Sequence, residues 1–355
     1  MLSGTHSGTA PFALSVLAGG GTGIGTTAEQ GLESTISLAR TADRRGFRRF
    51  WMSEHHAMPA ISVASPPLMI ARLIAETANI RLGAGGVMLP NHAPLVVAEQ
   101  FGMLAALAPN RIDLGLGRAP GTDGATAQAL RRGADANDGF GQQVLELLGF
   151  LADEFPAGHP YQQVHAVPGP WQAAQNRVPT PAVGPEVWML GSSPFSAQLA
   201  AQLGRPYAFA LQFGDADIDT ALHIYREQFR PSATLSEPYV LASVPVAIST
   251  DPAEAKRQAA TSAMAMLRMF KREPFLLLPP DEVDAYPATA QERQVLDAYT
   301  HRTFHGTPTT VADRLQALHE RTGVDELMLV GGGHSAALDE HGIDLIADHY
   351  NLPHA

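Results

Sequence analysis

IRLGAGGVMLPNHAPLVVAEQFGMLAALAPNRIDLGLG, residues 80–117, contains a complete strand–helix–strand unit. Ile80 to Gly86 reads as a strand of apolar and small residues. Pro94 to Leu107 reads as a helix with proline in its first turn, where the missing N–H is one the helix would not use. Ile112 to Gly117 reads as the next strand. A helix of that length between two strands marks a parallel crossover rather than a hairpin.

The same beat extends in both directions. Upstream, Phe12 to Leu17 reads as strand one. Ala28 to Arg45 is its helix, with Leu32, Ile36 and Ala39 on one face and Gly46 as the stop. Arg49 to Ser53 and Pro66 to Thr77 form the second strand and helix. Downstream, Gly121 to Pro185 loosens the spacing and holds one clear helix, Gln142 to Leu151. Val187 to Leu190, Tyr207 to Leu211 and Val240 to Ile248 read as strands five to seven. The helices Phe195 to Leu203 and Ile218 to Phe229 lie between them. A long excursion, Asp251 to Gly306, follows and contains two helical segments and the breaker run Leu278-Pro279-Pro280. A helix from Pro308 to Arg321, strand eight at Leu327 to Val330 and a helix near Leu338 to Asp348 close the chain. Eight βα units fit one (β/α)8 barrel domain spanning residues 1–355, although an open doubly wound sheet carries the same local pattern.

Composition narrows the chemistry. The 355 residues carry a net charge of −11 and no cysteine. Disulfides, thiolate catalysis, iron–sulfur clusters and cysteine zinc sites are therefore excluded. A nucleic-acid partner is not expected from this charge without a basic stripe, and none is visible. The only lysines, Lys256 and Lys271, share one helical run, away from the strand ends where a Schiff-base lysine would sit. No apolar run approaches the length of a membrane span. Met1 to Ala10 has no basic patch followed by an apolar stretch, so the expected location is the cytoplasm.

Three motifs fail. Gly19 to Gly25 is glycine-rich and follows a strand, but no frame gives G-x-G-x-x-G. Around Gly115 and Gly117 the required third glycine is Pro120. No P-loop occurs. Glu54-His55-His56 offers metal-type ligands, but neighbouring strand residues point to opposite faces, and no metal site is expected.

In a barrel, chemistry resides where strands end. Four such places stand out. Ser53-Glu54-His55-His56 carries the histidine suited to proton transfer near neutral pH, or else one that merely bonds its neighbours. Gly83-Ala84-Gly85-Gly86 brings bare backbone to a flat ligand, or permits tight packing. Gly115-Leu116-Gly117-Arg118 puts an arginine at the mouth, for a phosphate or a salt bridge. In Gly191-Ser192-Ser193-Pro194-Phe195-Ser196, Ser192 and Ser193 sit at a helix N-terminus, a seat for an anion, with Ser196 one turn on. A simple serine cap explains the same residues.

Taken together, Phe50 to His56, Ile80 to Pro90 and Arg111 to Gly121 resemble the luciferase-like flavin monooxygenases. The likeness spans most of residues 11–212 and resumes at Gly306 to Leu315 and Leu327 to Gly333. It implies a (β/α)8 barrel holding reduced FMN at its C-terminal face, with a separate flavin reductase as the supplier. Oxygen chemistry on a small organic substrate would follow. His55 matches the catalytic histidine, with Glu54 behind it. Gly85-Gly86 matches a non-proline cis peptide beside the flavin ring. Arg118 matches a flavin- and phosphate-binding arginine. Ser193 and Ser196 match phosphate contacts, with Ser192 beside them. Glu99 matches a carboxylate beneath the flavin pocket. Gly117 stands in the flavin site where bacterial luciferase has a cysteine, which argues against light emission as the task. The family implies a homodimer. The same likeness leaves open an F420-dependent oxidoreductase and a non-catalytic flavin-binding protein. Residues 251–306 are expected to form a lid, being too long for a plain connection.

Overall fold

The computed structural model describes residues 8–133, 135–179, 184–213 and 217–353. Most of the Met1 to Ala10 stretch therefore lies outside the described residues. The first half runs β1 Ala13–Ala18, α1 Ala28–Arg44, β2 Arg49–Met52, α2 Pro66–Ile74, β3 Arg81–Met88, α3 Pro94–Leu107 and β4 Ile112–Gly117. The middle holds α4 Gly124–Ala129, α5 Phe140–Ala152, α6 Pro170–Gln175, β5 Glu186–Leu190, α7 Pro194–Gln202, β6 Tyr207–Ala210 and α8 Ile218–Gln228. The last part holds β7 Val240–Ile248, α9 Pro252–Phe270, α10 Pro280–Asp284, α11 Ala290–Arg302, β8 Phe304–Gly306, α12 Pro308–Thr322, β9 Glu326–Val330 and α13 Ala336–His349.

All pairings between these strands are parallel, and the sheet closes. The order runs from β1 through β7 to β9, and β9 pairs back onto β1, with Ala13 opposite Glu326. Closure selects the eight-stranded (β/α)8 barrel over the open doubly wound sheet. The ninth strand, β8, is an addition. After Pro245, β7 leaves β9, and Val246 pairs instead with Phe304.

Local chemistry explains where the elements stop. The second helix ends at Ile74, short of the expected Thr77. The buried carboxylate of Asp43 accepts from the N–H groups of Ala78, Asn79 and Ile80 at 2.7–2.9 Å, which turns the chain into β3. The third strand runs past Gly86 to Met88, with a register shift between Gly85 and Val87. Thr27 and Gln30 form a capping box that starts α1. The Gly121 to Pro185 stretch holds three helices, α4, α5 and α6, where one was expected. The two additions are six residues each, too short for a periodic pattern to reveal them.

The barrel interior is filled at mid-height by Leu17, Trp51, Trp188, Leu241 and Met328. Below them lies a charged floor. Arg49 is wholly buried, and its guanidinium sits 2.8 Å from Asp113, 3.0 Å from Glu186 and 3.0 Å from Glu326. Burial opposes its charge, but those carboxylates outweigh burial and hold its pKa above the ordinary arginine value. Trp188 lies under the guanidinium at 4.6 Å.

The excursion is not a loose flap. Helices α9 and α11 pack on one another, with Ala259, Ala263, Met264 and Leu267 buried along α9. Leu277 is buried, and its carbonyl accepts from the Ile24 N–H at 3.0 Å, which pins the excursion to the loop after β1. No helix among the described residues is long and apolar enough to cross a membrane.

Candidate active site

A cavity of about 600 Å³ lies at the C-terminal ends of the strands. His55, Gly85, Gly86, Gly117, Arg118, Ser192, Ser193 and Ser196 all line it. Met266, Met269, Phe275 and Leu277 of the excursion add an apolar wall.

Strand β2 ends at Met52, so the histidines lie in the loop beyond it and strand alternation does not govern them. Glu54 is buried and acts as a hub. His56 Nε2 and His92 Nε2 each lie 2.9 Å from its Oε1, and the Met88 N–H donates to Oε2 at 3.0 Å. A carboxylate only accepts, so both rings carry a proton on Nε2. Burial tends to raise the Glu54 pKa. The hydrogen bond and charge of His92, then the bonds from His56 and Met88, outweigh it and hold the group below its ordinary value. His56, not His55, is thus the histidine tied to Glu54.

His55 faces the cavity. Its Nδ1 is buried with no hydrogen-bond partner. Burial pushes the imidazole below the ordinary histidine pKa, more than the Gly121 carbonyl and Glu54 raise it. The ring is therefore neutral at pH 7 and able to accept a proton. Among the described residues, no group of three or more His, Asp or Glu side chains is placed to hold a metal ion.

The Gly85–Gly86 peptide is cis. A Cβ on Gly85 would meet the Trp51 ring at 2.7 Å, and one on Gly86 would meet the Gly115 carbonyl at 2.7 Å. Packing alone demands glycine at both positions, and the same bareness leaves backbone on the cavity wall. Gly117 is similar, since a Cβ there would sit 2.9 Å from Met88 Sδ.

Arg118 makes no ion pair among the described residues. Its guanidinium lies over the Phe195 ring at 4.5 Å. Ser193 is the N-cap residue of α7, but its hydroxyl caps nothing. Ser196 differs from expectation. Its hydroxyl donates to the Ser193 carbonyl at 2.8 Å and lies 3.3 Å from the Tyr207 hydroxyl. Its one proton is committed to the loop and is not aimed at a ligand.

Glu99 lies on α3, half-buried and outside the cavity lining, as a carboxylate beneath the pocket rather than on its wall would be. The carboxylate behind the pocket is Glu54. Residues absent from the sequence reading complete that cluster. Asn91 Nδ2 lies 3.3 Å from Glu54 Oε1. Arg132 donates to Asn91 Oδ1 at 2.8 Å and to the Arg118 carbonyl at 2.7 Å, tying the two catalytic-end loops together. Asn91-His92, directly after a strand end, was the available signal.

Comparison with known proteins agrees with this architecture. A model of the luciferase-like monooxygenase family matches residues 11–326, and the chain belongs to that family. It is 39% identical over 328 residues to a luciferase-like monooxygenase of Escherichia coli K12, covering 91% of this chain and 92% of that one. It is 25% identical over 315 residues to the oxygenase component of a flavin-dependent trigonelline monooxygenase of Acinetobacter baylyi, covering 84% and 83%. The crystal structure of apo-MsnO8 superposes with a TM-score of 0.84 at 34% identity, covering 97% of this chain and 99% of that one. An F420-dependent secondary alcohol dehydrogenase, 12% identical with a TM-score of 0.69 over 96% and 98% of the two chains, shares the fold alone.

Proposed function

We propose that the chain is the oxygenase of a two-component flavin monooxygenase, using reduced FMN from a separate reductase and O2 to oxidise a small organic substrate. One observation carries this reading. A basic group without an ion pair, an uncapped helix N-terminus and a buried histidine with an unpartnered nitrogen share one cavity. Those are the complements of a phosphate and of a ring or substrate that exchanges protons.

The residues fit FMN. Arg118, the free N–H groups of α7, Ser192 and Ser193 would hold the phosphate. Ser196 would support that loop through the Ser193 carbonyl. Gly85, Gly86 and Gly117 leave the wall flat for a ring. Bound reduced flavin would supply the electrons for activating oxygen. His55, neutral and facing the cavity, would accept or return the substrate's proton. Met266, Met269, Phe275 and Leu277 would keep water out. The family relative named as an oxygenase component supports the separate reductase.

We also infer a homodimer. Helix α3 is apolar apart from Glu99 and Gln100, and its Val96, Met103 and Leu107 are exposed, as is Leu68 on α2. Several large apolar side chains exposed on neighbouring helices mark an interface.

The test is reductase-coupled aerobic turnover with FMN or F420, using isotopically labelled O2. Label in the product with FMN supports the reading. Turnover with F420 and no label makes the chain a hydride-transfer enzyme. Flavin binding without turnover leaves a flavin-binding protein.

A further inference from the structure

Most carboxylates of the interior are met by cations or by several N–H groups; Asp325, outside the cavity, accepts the Val240 N–H at 2.7 Å with Arg226 nearby, and Asp339 is the exception that faces the cavity. Asp113 and Glu326 pair with Arg49, and Glu54 has two histidines. Asp43 accepts three backbone N–H groups. Asp339, in the first turn of α13, lines the cavity and has no cationic partner among the described residues. The Gly333 N–H alone meets it.

Its setting is apolar on one side and open to the cavity on the other. Behind it lies a hollow of about 20 Å³ walled by Val16, Leu38, Val246 and Ile343. In front, the carboxyl presses on the Gly331 to Gly333 loop after β9. A Cβ on Gly331 would lie 2.7 Å from Asp339 Oδ2. Ser262 of α9 donates to the Gly332 carbonyl, which fastens the excursion to the same loop. Desolvation raises the carboxyl pKa to about 7. A carboxyl so placed lacks a countercharge that an occupant of the cavity can bring.

Barrel order fixes which occupant. Arg118 follows β4 and Asp339's loop follows β9. Those strands are diametrically opposed in the closed sheet. Arg118 and Asp339 therefore stand on opposite walls of the cavity, with His55, after β2, between them and Arg302 of the excursion also on the lining. The anion of the cofactor belongs at Arg118. Asp339 lies beside the apolar residues of the excursion.

We propose that Asp339 is the cation subsite of the substrate chamber, pairing with a protonated amine carried on an otherwise apolar substrate. The proposal rests on the flavin oxygenase reading for the identity of the chamber. The pair is an ammonium–carboxylate hydrogen bond, and no covalent step is involved.

The test is calorimetric titration of the full chain at pH 8 with hexylamine and with hexanol, which share a hydrocarbon tail and differ in charge. Wild-type protein is expected to bind hexylamine about tenfold or more tightly than hexanol, the usual scale for a charged hydrogen bond. Asp339→Asn is expected to bring the two affinities together while FMN binding stays as in wild type. Equal affinities in wild type overturn the proposal without need of any variant. So does an amine preference that survives Asp339→Asn. Failure of wild-type protein to bind FMN in a parallel titration would sink the oxygenase reading, whereas lost amine preference with FMN binding intact sinks only the subsite.

Discussion

The two ends of the barrel treat charge in opposite ways. At the floor, Arg49 is surrounded by Asp113, Glu186 and Glu326, Trp51 donates to Asp113 at 2.9 Å, and Tyr239 donates to Glu326 at 2.9 Å. At the mouth, His55 Nδ1 lacks a partner, Arg118 lacks an ion pair, Ser193 caps nothing and Asp339 lacks a cation. Both ends hold polar groups out of water. The floor pairs its charges from within the fold, with Arg49 Nη2 left without a hydrogen bond among packed side chains, whereas the mouth turns its unmet groups towards a cavity. The difference teaches that burial of charge is not itself a sign of function; an unmet group facing open space is.

Substitutions at the two ends should separate on that basis. The largest effect is expected at His55. His55→Ala should lower turnover by about 10²–10⁴-fold, the scale of a positioned proton-transfer group, with FMN affinity nearly unchanged. The low-pH limb of the rate should fall through a pKa below the ordinary histidine value and vanish in the variant. His56→Ala should instead lose stability through Glu54 and keep most activity per folded molecule. If His56 is the essential ring, the assignment of the two histidines is reversed.

Arg49→Met should destabilise the fold by about 3–5 kcal/mol, because it removes the buried cation shared by three carboxylates and leaves Asp113 and Glu186 to Arg81 and Glu326 to Arg48. Denaturant unfolding measures this, and FMN affinity of the folded fraction should be unaltered. A neutral result would mean that the carboxylates protonate without penalty and the floor is not a stability device.

Arg118→Met with Ser193→Ala should weaken FMN binding by about 2–4 kcal/mol, from charge-assisted hydrogen bonds. Ser196→Ala should weaken it less, since that hydroxyl serves the loop. Fluorescence titration checks both, and an effect of Ser196 larger than that of Ser193 would move the phosphate deeper.

The smallest effect is a pH slope. Asp339 has a folded pKa raised from 3.8 to about 7, so the native state holds a proton that the unfolded chain releases. Native stability should therefore decline as pH rises from about 4 towards 7, the sign opposite to that of a paired carboxylate. His55 acts in the other direction: its folded pKa is depressed, so its contribution is lost as pH falls below about 6.5. Asp339→Asn should stabilise the empty protein at pH 8. Thermal melts between pH 5 and 8 distinguish the two slopes.

The frame was the legible part, and the charged floor was not, because Arg49 meets Asp113, Glu186 and Glu326 only when the barrel closes. Strand and helix runs depend on local periodicity, and Ile112–Gly117, Val240–Ile248 and Pro94–Leu107 fall where the pattern put them. What escaped depends on distant contacts. Asn91, His92 and Arg132 gain meaning only when the turn after β3 and the segment after β4 meet at Glu54 and Arg118. Ser196 sits at the expected turn of α7, yet its rotamer sends the proton inward, which spacing does not encode. Asp339 lies in a carboxyl-terminal helix with no motif, and only barrel closure reveals that it lines the mouth opposite Arg118.

The central claim is that the unmet groups at the mouth await a reduced flavin. The direct measurement is an anaerobic titration of wild-type protein with FMN reduced beforehand, with F420 as competitor. Saturable binding of reduced FMN, undiminished by equimolar F420 and weakened in the Arg118→Met, Ser193→Ala double variant, is the predicted result. No binding, or displacement of FMN by F420, would contradict it.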